Sequence, residues 1–142
     1  MVRETKLAGF GYSKILVERA DNSNTTLKIS PSINISSIEK HKADSSKQDL
    51  LKIGFKFSVD YSGLGKIELE GRMFLIVDQK TQKEAIEGWK NKKLDSEINM
   101  LLLNIIMQKA SLKALDLEDE MNLPLHVPIP RLQLGKKEEQ QG

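Results

Sequence analysis

The stretch LDSEINMLLLNIIMQKASLKALDLEDEM, Leu94 to Met121, decides how the rest of the chain is read. Asp95 and Ser96 are residue types that cap helices, and Glu97 puts negative charge in the first turn, where the helix dipole favours it. No Gly or Pro follows until Pro124, so the spacing predicts one helix of about 26 residues, roughly 40 Å long. At 100° per residue the apolar side chains fall into two stripes. One holds Leu103, Met107, Ala110, Ala114, Leu117 and Met121, with Ile106 beside it. Nearly opposite lie Ile98, Leu101, Leu102, Ile105, Leu112 and Leu115. A helix lying on one core needs one buried stripe. Two stripes require two covers.

Upstream, the periodicity is that of strands. Tyr12 to Ala20 has strand character through Ile15, Leu16 and Val17. After the turn cluster Asp21 to Asn24, the residues Leu27, Ile29, Pro31, Ile33 and Ile35 alternate with polar ones. Pro31 cannot donate to a ladder, which puts this strand at an edge or bulges it. Ile38 breaks the phase and predicts a bulge near Ser36 and Ser37. His41 to Gln48 reads as a charged loop. The clearest strand carries Leu51, Ile53, Phe55, Phe57, Val59 and Tyr61 on one side, with Lys52, Gly54, Lys56, Ser58 and Asp60 between them. A turn at Ser62 to Gly65 leads to a fourth strand with Ile67, Leu69, Met73, Leu75 and Val77 in the same phase. Phe74 and Ile76 make its far end apolar on the other face too, and Gly71 marks a bend or a close backbone approach.

Asp78 or Thr81 then caps a short helix carrying Ala85, Ile86 and Trp89, which Gly88 weakens. Beyond the long helix, Pro124, Pro128 and Pro130 hold Leu123 to Leu134 extended, as a strap laid along a groove. The fold class is therefore α+β: a four-stranded antiparallel meander sheet, paired in chain order, with a short and a long helix packed on it. Residues 1–134 form one domain in which 1–11 is a loose arm, and 135–142 is a disordered tail. One helix stripe covers the sheet. The other is covered either by the strap and short helix or by a second subunit. A ribbon of a dozen residues is too small to cover both the second stripe and the outer side of Phe74 and Ile76, so the subunit is the better cover. Leu103, Ile106, Met107, Ala110, Ala114 and Leu117 are its candidate interface.

Composition excludes several function classes. With 22 basic and 20 acidic residues the charge is too balanced to argue for nucleic acid. No long uncharged apolar run is present for a membrane span. The N-terminal MVRETKLAGFGYSK has scattered charge and lacks the apolar core of a secretory signal. The absence of cysteine removes disulfides and thiolate chemistry and fits a reducing cytoplasm. Catalytic readings are poor. The histidines are His41 in the charged loop and His126 between prolines, the latter read as structural, and Ser36, Ser37, Ser45 and Ser46 read as turn chemistry. Glu118, Asp119 and Glu120 read as a solvated helix end without metal-ligand spacing. Neither a catalytic residue, a metal nor a cofactor is expected.

The order of elements resembles the SecB-type protein-export chaperones and their SecB-like relatives. The matching residues are Glu70-Gly71-Arg72-Met73-Phe74, Ile98 to Ala114, and Met121-Asn122-Leu123-Pro124 through Pro130, within a region from about Lys14 to Leu132. The resemblance implies a dimer or dimer of dimers that holds unfolded or partly folded polypeptides in apolar grooves, without nucleotide. The candidate groove residues are Phe74, Ile76, Trp89, Leu125 and Val127. Export members are strongly acidic, whereas this chain is slightly basic, which argues against docking to an export motor. An alternative of the same fold is a structural or adaptor protein with one dedicated folded partner. A third reading, a nucleic-acid or small-ligand binder, would use Lys52, Lys56 and Lys66 on the polar sheet face.

Overall fold

The computed structural model describes residues 5–20, 27–42 and 49–127. Four strands, β1 (Lys6–Arg19), β2 (Ser30–Lys42), β3 (Asp49–Asp60) and β4 (Gly65–Ile76), precede helices α1 (Gln79–Lys90) and α2 (Ser96–Met121). The sheet is antiparallel, in the order β1-β4-β3-β2. Strands β2, β3 and β4 form a meander, but β1 does not pair with β2 as chain order suggests. It adds to the opposite edge, beside β4. The described ends of the β1–β2 connection both meet the β3–β4 turn, where Ala20 N donates to Leu64 O (2.6 Å), Lys28 N to Ser62 Oγ (3.1 Å), and Ser62 Oγ to Lys28 O (2.8 Å).

The inward rows explain this placement. Leu51, Ile53, Phe55, Phe57 and Val59 of β3, with Tyr61 just beyond it, are buried together with Ile67, Leu69, Met73 and Leu75 of β4. Gly71 falls in the middle of the β4 row, paired with Phe55 on one side and Tyr12 on the other. Over that bare position the rings of Phe10, Tyr12 and Phe55 meet. Phe10 stacks on Phe55 at 5.0 Å between centroids, and Tyr12 meets both edge-on at 5.4 and 6.2 Å. Only a strand beside β4 can bring its aromatics there. Gly71 is needed because a Cβ would lie 2.1 Å from Gly11 O. This also corrects the N-terminal boundary: residues 6–11 are strand, not a loose arm.

At the other edge, β2 carries Pro31, as an edge strand can, and its register slips between Ile35 and Ser37, which restores Ile38 to the buried face. His41 belongs to β2 instead of a loop. Its ring lies 4.9 Å from that of Phe74 on the outer sheet face, so part of the cover that Phe74 needs comes from the sheet itself.

Both helices lie on the inward face. Asp78 caps α1, accepting from Thr81 N (3.1 Å) and Thr81 Oγ1 (2.6 Å), and these hydrogen bonds hold its carboxyl below the ordinary carboxylate range. Asp95 caps α2 through Glu97 N and Ile98 N at 3.0 and 3.2 Å. The side of α2 on the sheet is Ile98, Leu102, Ile106, Ala110, Ala114 and Leu117. Four residues read as a subunit interface, Ile106, Ala110, Ala114 and Leu117, are therefore buried within their own chain. The true core stripe runs between the two expected ones, because the small Ala110 and Ala114 let the helix axis approach the large β3 side chains. Among the described residues no helix is long and apolar enough to cross a membrane. The strap beyond Val127 and the 135–142 tail lie outside the described residues.

Candidate functional site

Turning α2 onto its small residues leaves the neighbouring strip of the helix facing the free edge of the sheet. Met100, Leu103, Asn104, Met107 and Ser111 look across at Pro31, Ser32 and Ile33 of β2, with Phe57 as the floor and His126 and Val127 closing one end. The space enclosed is about 420 Å³. Met100 and Met107 are 60% and 50% exposed. An open trough with flexible thioether walls beside a strand that, among the described residues, is the edge of the sheet can take apolar side chains of varied shape.

The closed end is built around a buried acid. Asn122 ends α2 in the left-handed conformation (φ 54°), which asparagine tolerates better than most residues. Leu123 N then donates to Glu118 O at 2.9 Å, and the chain turns back along the last turns of the helix. This return seats His126 on the Glu118 side chain. The Glu118 carboxylate, fully buried, accepts from the Tyr61 hydroxyl, from His126 Nδ1 (3.1 Å to Oε1, 2.9 Å to Oε2) and from the His126 amide (3.3 Å). Those donors replace the water the carboxylate gave up, without which its burial would be prohibitive. Burial first, and the Glu118 hydrogen bond second, push the Tyr61 phenol well above its usual range.

The carboxylate also orients the imidazole. In the tautomer whose Nδ1–H donates to Glu118, Nε2 is the acceptor. Ser111 Oγ lies 3.2 Å from that nitrogen. Ser111 and Glu118 stand two helical turns apart on one face of α2, and the imidazole, its side chain only 2% exposed, bridges them. The Phe57 ring meets the imidazole edge-on at 5.8 Å.

The sequence-derived groove residues do not converge. Phe74 and Ile76 alternate with buried Met73 and Leu75 and so lie on the outer face of the sheet, away from both helices. Trp89 is half-buried where α1 meets β2 near Ser37 to Lys40, beside a different recess. Leu125 borders the end of α2 with Asn122 and Pro124. Val127 alone of the five lines the trough. Leu103 and Met107, read as interface, line it as well. Glu118 is not a solvated helix end, whereas its neighbours Asp119 and Glu120 are exposed.

On the outer face the charges pair, across strands and along β4. Lys14 meets Glu68 at 3.1 Å and Glu70 at 3.7 Å, and Lys66 meets Glu68 at 3.7 Å and Glu18 at 3.9 Å. The hydrogen bond with Glu68 leads in holding the Lys14 ammonium above its ordinary range, and that with Lys14 leads in holding Glu68 below its own. Of the three lysines read on this face, Lys66 is thus matched to carboxylates. Compared with protein-family models and with curated proteins, the chain finds no match in either.

Proposed function

We propose that this chain is a nucleotide-independent holdase of the SecB-like kind, which binds non-native polypeptides in the trough between α2 and β2. The observation that carries this reading is the trough itself: exposed methionines on a rigid helix, facing the free edge of a sheet. Apolar burial is non-directional and accepts many sequences, while the β2 backbone can add hydrogen bonds to an extended client. Affinity for any one segment is then modest, in the micromolar range that about −8 kcal/mol represents, because the client loses conformational freedom. The element order and the Leu123-Pro124 motif after the long helix support the same reading.

Self-association belongs to this proposal. Ile15 on the free edge β1 and Leu112 on α2 are 47% and 67% exposed, and the two elements are neighbours, Tyr12 Oη donating to Lys109 O at 3.5 Å. A dimer, or a dimer of dimers, joined along β1 and the middle of α2 would cover both and leave the trough open. A cytoplasmic location fits the cysteine-free composition.

A photo-reactive diazirine side chain in place of Met107 tests the trough as the binding surface. The holdase reading expects crosslinks to several chemically unrelated denatured proteins and none to their native forms. Crosslinking to a single native protein would instead identify an adaptor with a dedicated partner.

A further inference from the structure

The trough has one chemically distinct end, and client holding makes no use of it. Ser111, His126 and Glu118 form a relay in which a buried carboxylate fixes the imidazole tautomer, and the imidazole accepts from a serine hydroxyl (2.9 Å, then 3.2 Å). That is the arrangement that activates a serine nucleophile. It also needs access, and Ser111 has it: the residue lines the trough, whose apolar walls include Ile33, Phe57, Leu103, Met107 and Val127. An acyl chain laid among those side chains would bring its carbonyl carbon against Oγ.

We propose that Ser111 is an activated nucleophile, an acyl-acceptor site for activated esters bearing apolar acyl chains. Oγ forms a bond to the acyl carbon as its proton passes to His126 Nε2. The bond from that carbon to the leaving oxygen breaks, the leaving group takes the electron pair, and the imidazolium returns its proton to it. The products are an acylated Ser111 and a free alcohol or phenol, with no change of oxidation state. Glu118 acts here as a positioning residue. The substrate class follows from what the site lacks. Ser111 sits inside α2, where backbone amides serve the helix, so no pair of them is aimed at a developing oxyanion. Good leaving groups are therefore required, and the acyl-enzyme forms slowly.

The test is incubation of the full chain with p-nitrophenyl octanoate, with p-nitrophenyl acetate as the short-chain comparison. Nitrophenolate release is followed together with tryptic mapping, in which Ser111 falls in the fragment 110–113 (Ala-Ser-Leu-Lys). Expected is octanoylation of that fragment at Ser111, faster than acetylation and slower in D2O than in H2O, as proton transfer to the imidazole requires. Ser111→Ala, which suits a helix, abolishes it. His126→Gln slows it by about 100-fold, the usual scale of a general base. Glu118→Gln, which keeps the side-chain shape, slows it by at least roughly 10-fold. Acylation confined to lysines, an unchanged rate in Ser111→Ala, or no solvent isotope effect on the intact chain overturns the proposal. The isotope effect is read on the unmodified protein, so a variant that loosens the 123–127 segment cannot decide the matter. None of these readouts depends on client binding.

Discussion

Replacing Glu118 by Ala removes the acceptor that three buried donors share: the Tyr61 hydroxyl, His126 Nδ1 and the His126 amide. A buried donor left without a partner costs about 1–3 kcal/mol. The three are not independent, since the 123–127 segment can move to rehydrate His126, so the expected loss is about 4 kcal/mol. That is a large share of the stability of an ordinary domain, about 5–15 kcal/mol. Tyr61→Phe removes one donor and leaves the carboxylate its two contacts with His126. Its expected cost is about 1.5–2 kcal/mol, the scale for a hydrogen bond to a charged group. The double variant is the sharper test. Once Glu118 is gone the Tyr61 hydroxyl is an orphan, and removing it gives relief, so the combined loss falls short of the sum by about 1–2 kcal/mol. Urea unfolding at neutral pH, followed by circular dichroism, measures all three. A Glu118→Ala loss below about 1 kcal/mol, or strict additivity, would refute the claim that this acid organises the C-terminal end.

Other outcomes follow from the same contacts. The Tyr61 phenol is held above the ordinary tyrosine value of 10.0, so its contribution is fully present below that pH and is lost as pH rises through the folded value. Alkaline unfolding should begin above about pH 10, and Tyr61→Phe should reduce it in a circular-dichroism titration; identical curves would contradict this. Gly71→Ala drives a methyl into Gly11 O, at 2.1 Å before any relaxation, so hydrogen exchange should accelerate across residues 6–19 with less effect in β2. Asp78→Ala removes the α1 cap and should cost about 1 kcal/mol, read as a lower urea midpoint at unchanged slope.

Much of this fold is legible in the chain because its period is strict. Six alternate apolar residues ending at Tyr61 announce β3, and an unbroken run after Asp95 announces α2 with its observed bounds, Ser96–Met121. Pro31 and Ile38 likewise foretell an edge strand and a bulge. What pairing and packing decide is harder to read. Nothing local to residues 6–19 says whether β1 adds beside β2 or β4; three aromatic rings meeting over Gly71 settle it, and that is a contact across three strands. The buried face of α2 differs from the expected stripes for a related reason. Periodicity weighs alanine as a weak apolar residue, yet Ala110 and Ala114 are fully buried in the core stripe. The buried acid had a signal: Glu118 follows Ala114 by four residues, in register with the core stripe, where a solvated carboxylate has no place. Its partner His126 comes after a helix end and a reversal, which spacing alone does not specify. Ser111 gives no signal, because a serine inside an amphipathic helix carries no nucleophile motif.

Holding of non-native chains is the central claim, and an aggregation assay tests it most directly. Several unrelated denatured proteins would be diluted into buffer without nucleotide, at an equimolar ratio to this chain, and light scattering followed. The account predicts suppression for most of them. It also predicts loss of that suppression in Met100→Asp/Met107→Asp, with the melting curve and solution mass little changed, since both side chains are at least half exposed. Unaltered scattering from every client, or full activity in the double variant, would contradict it.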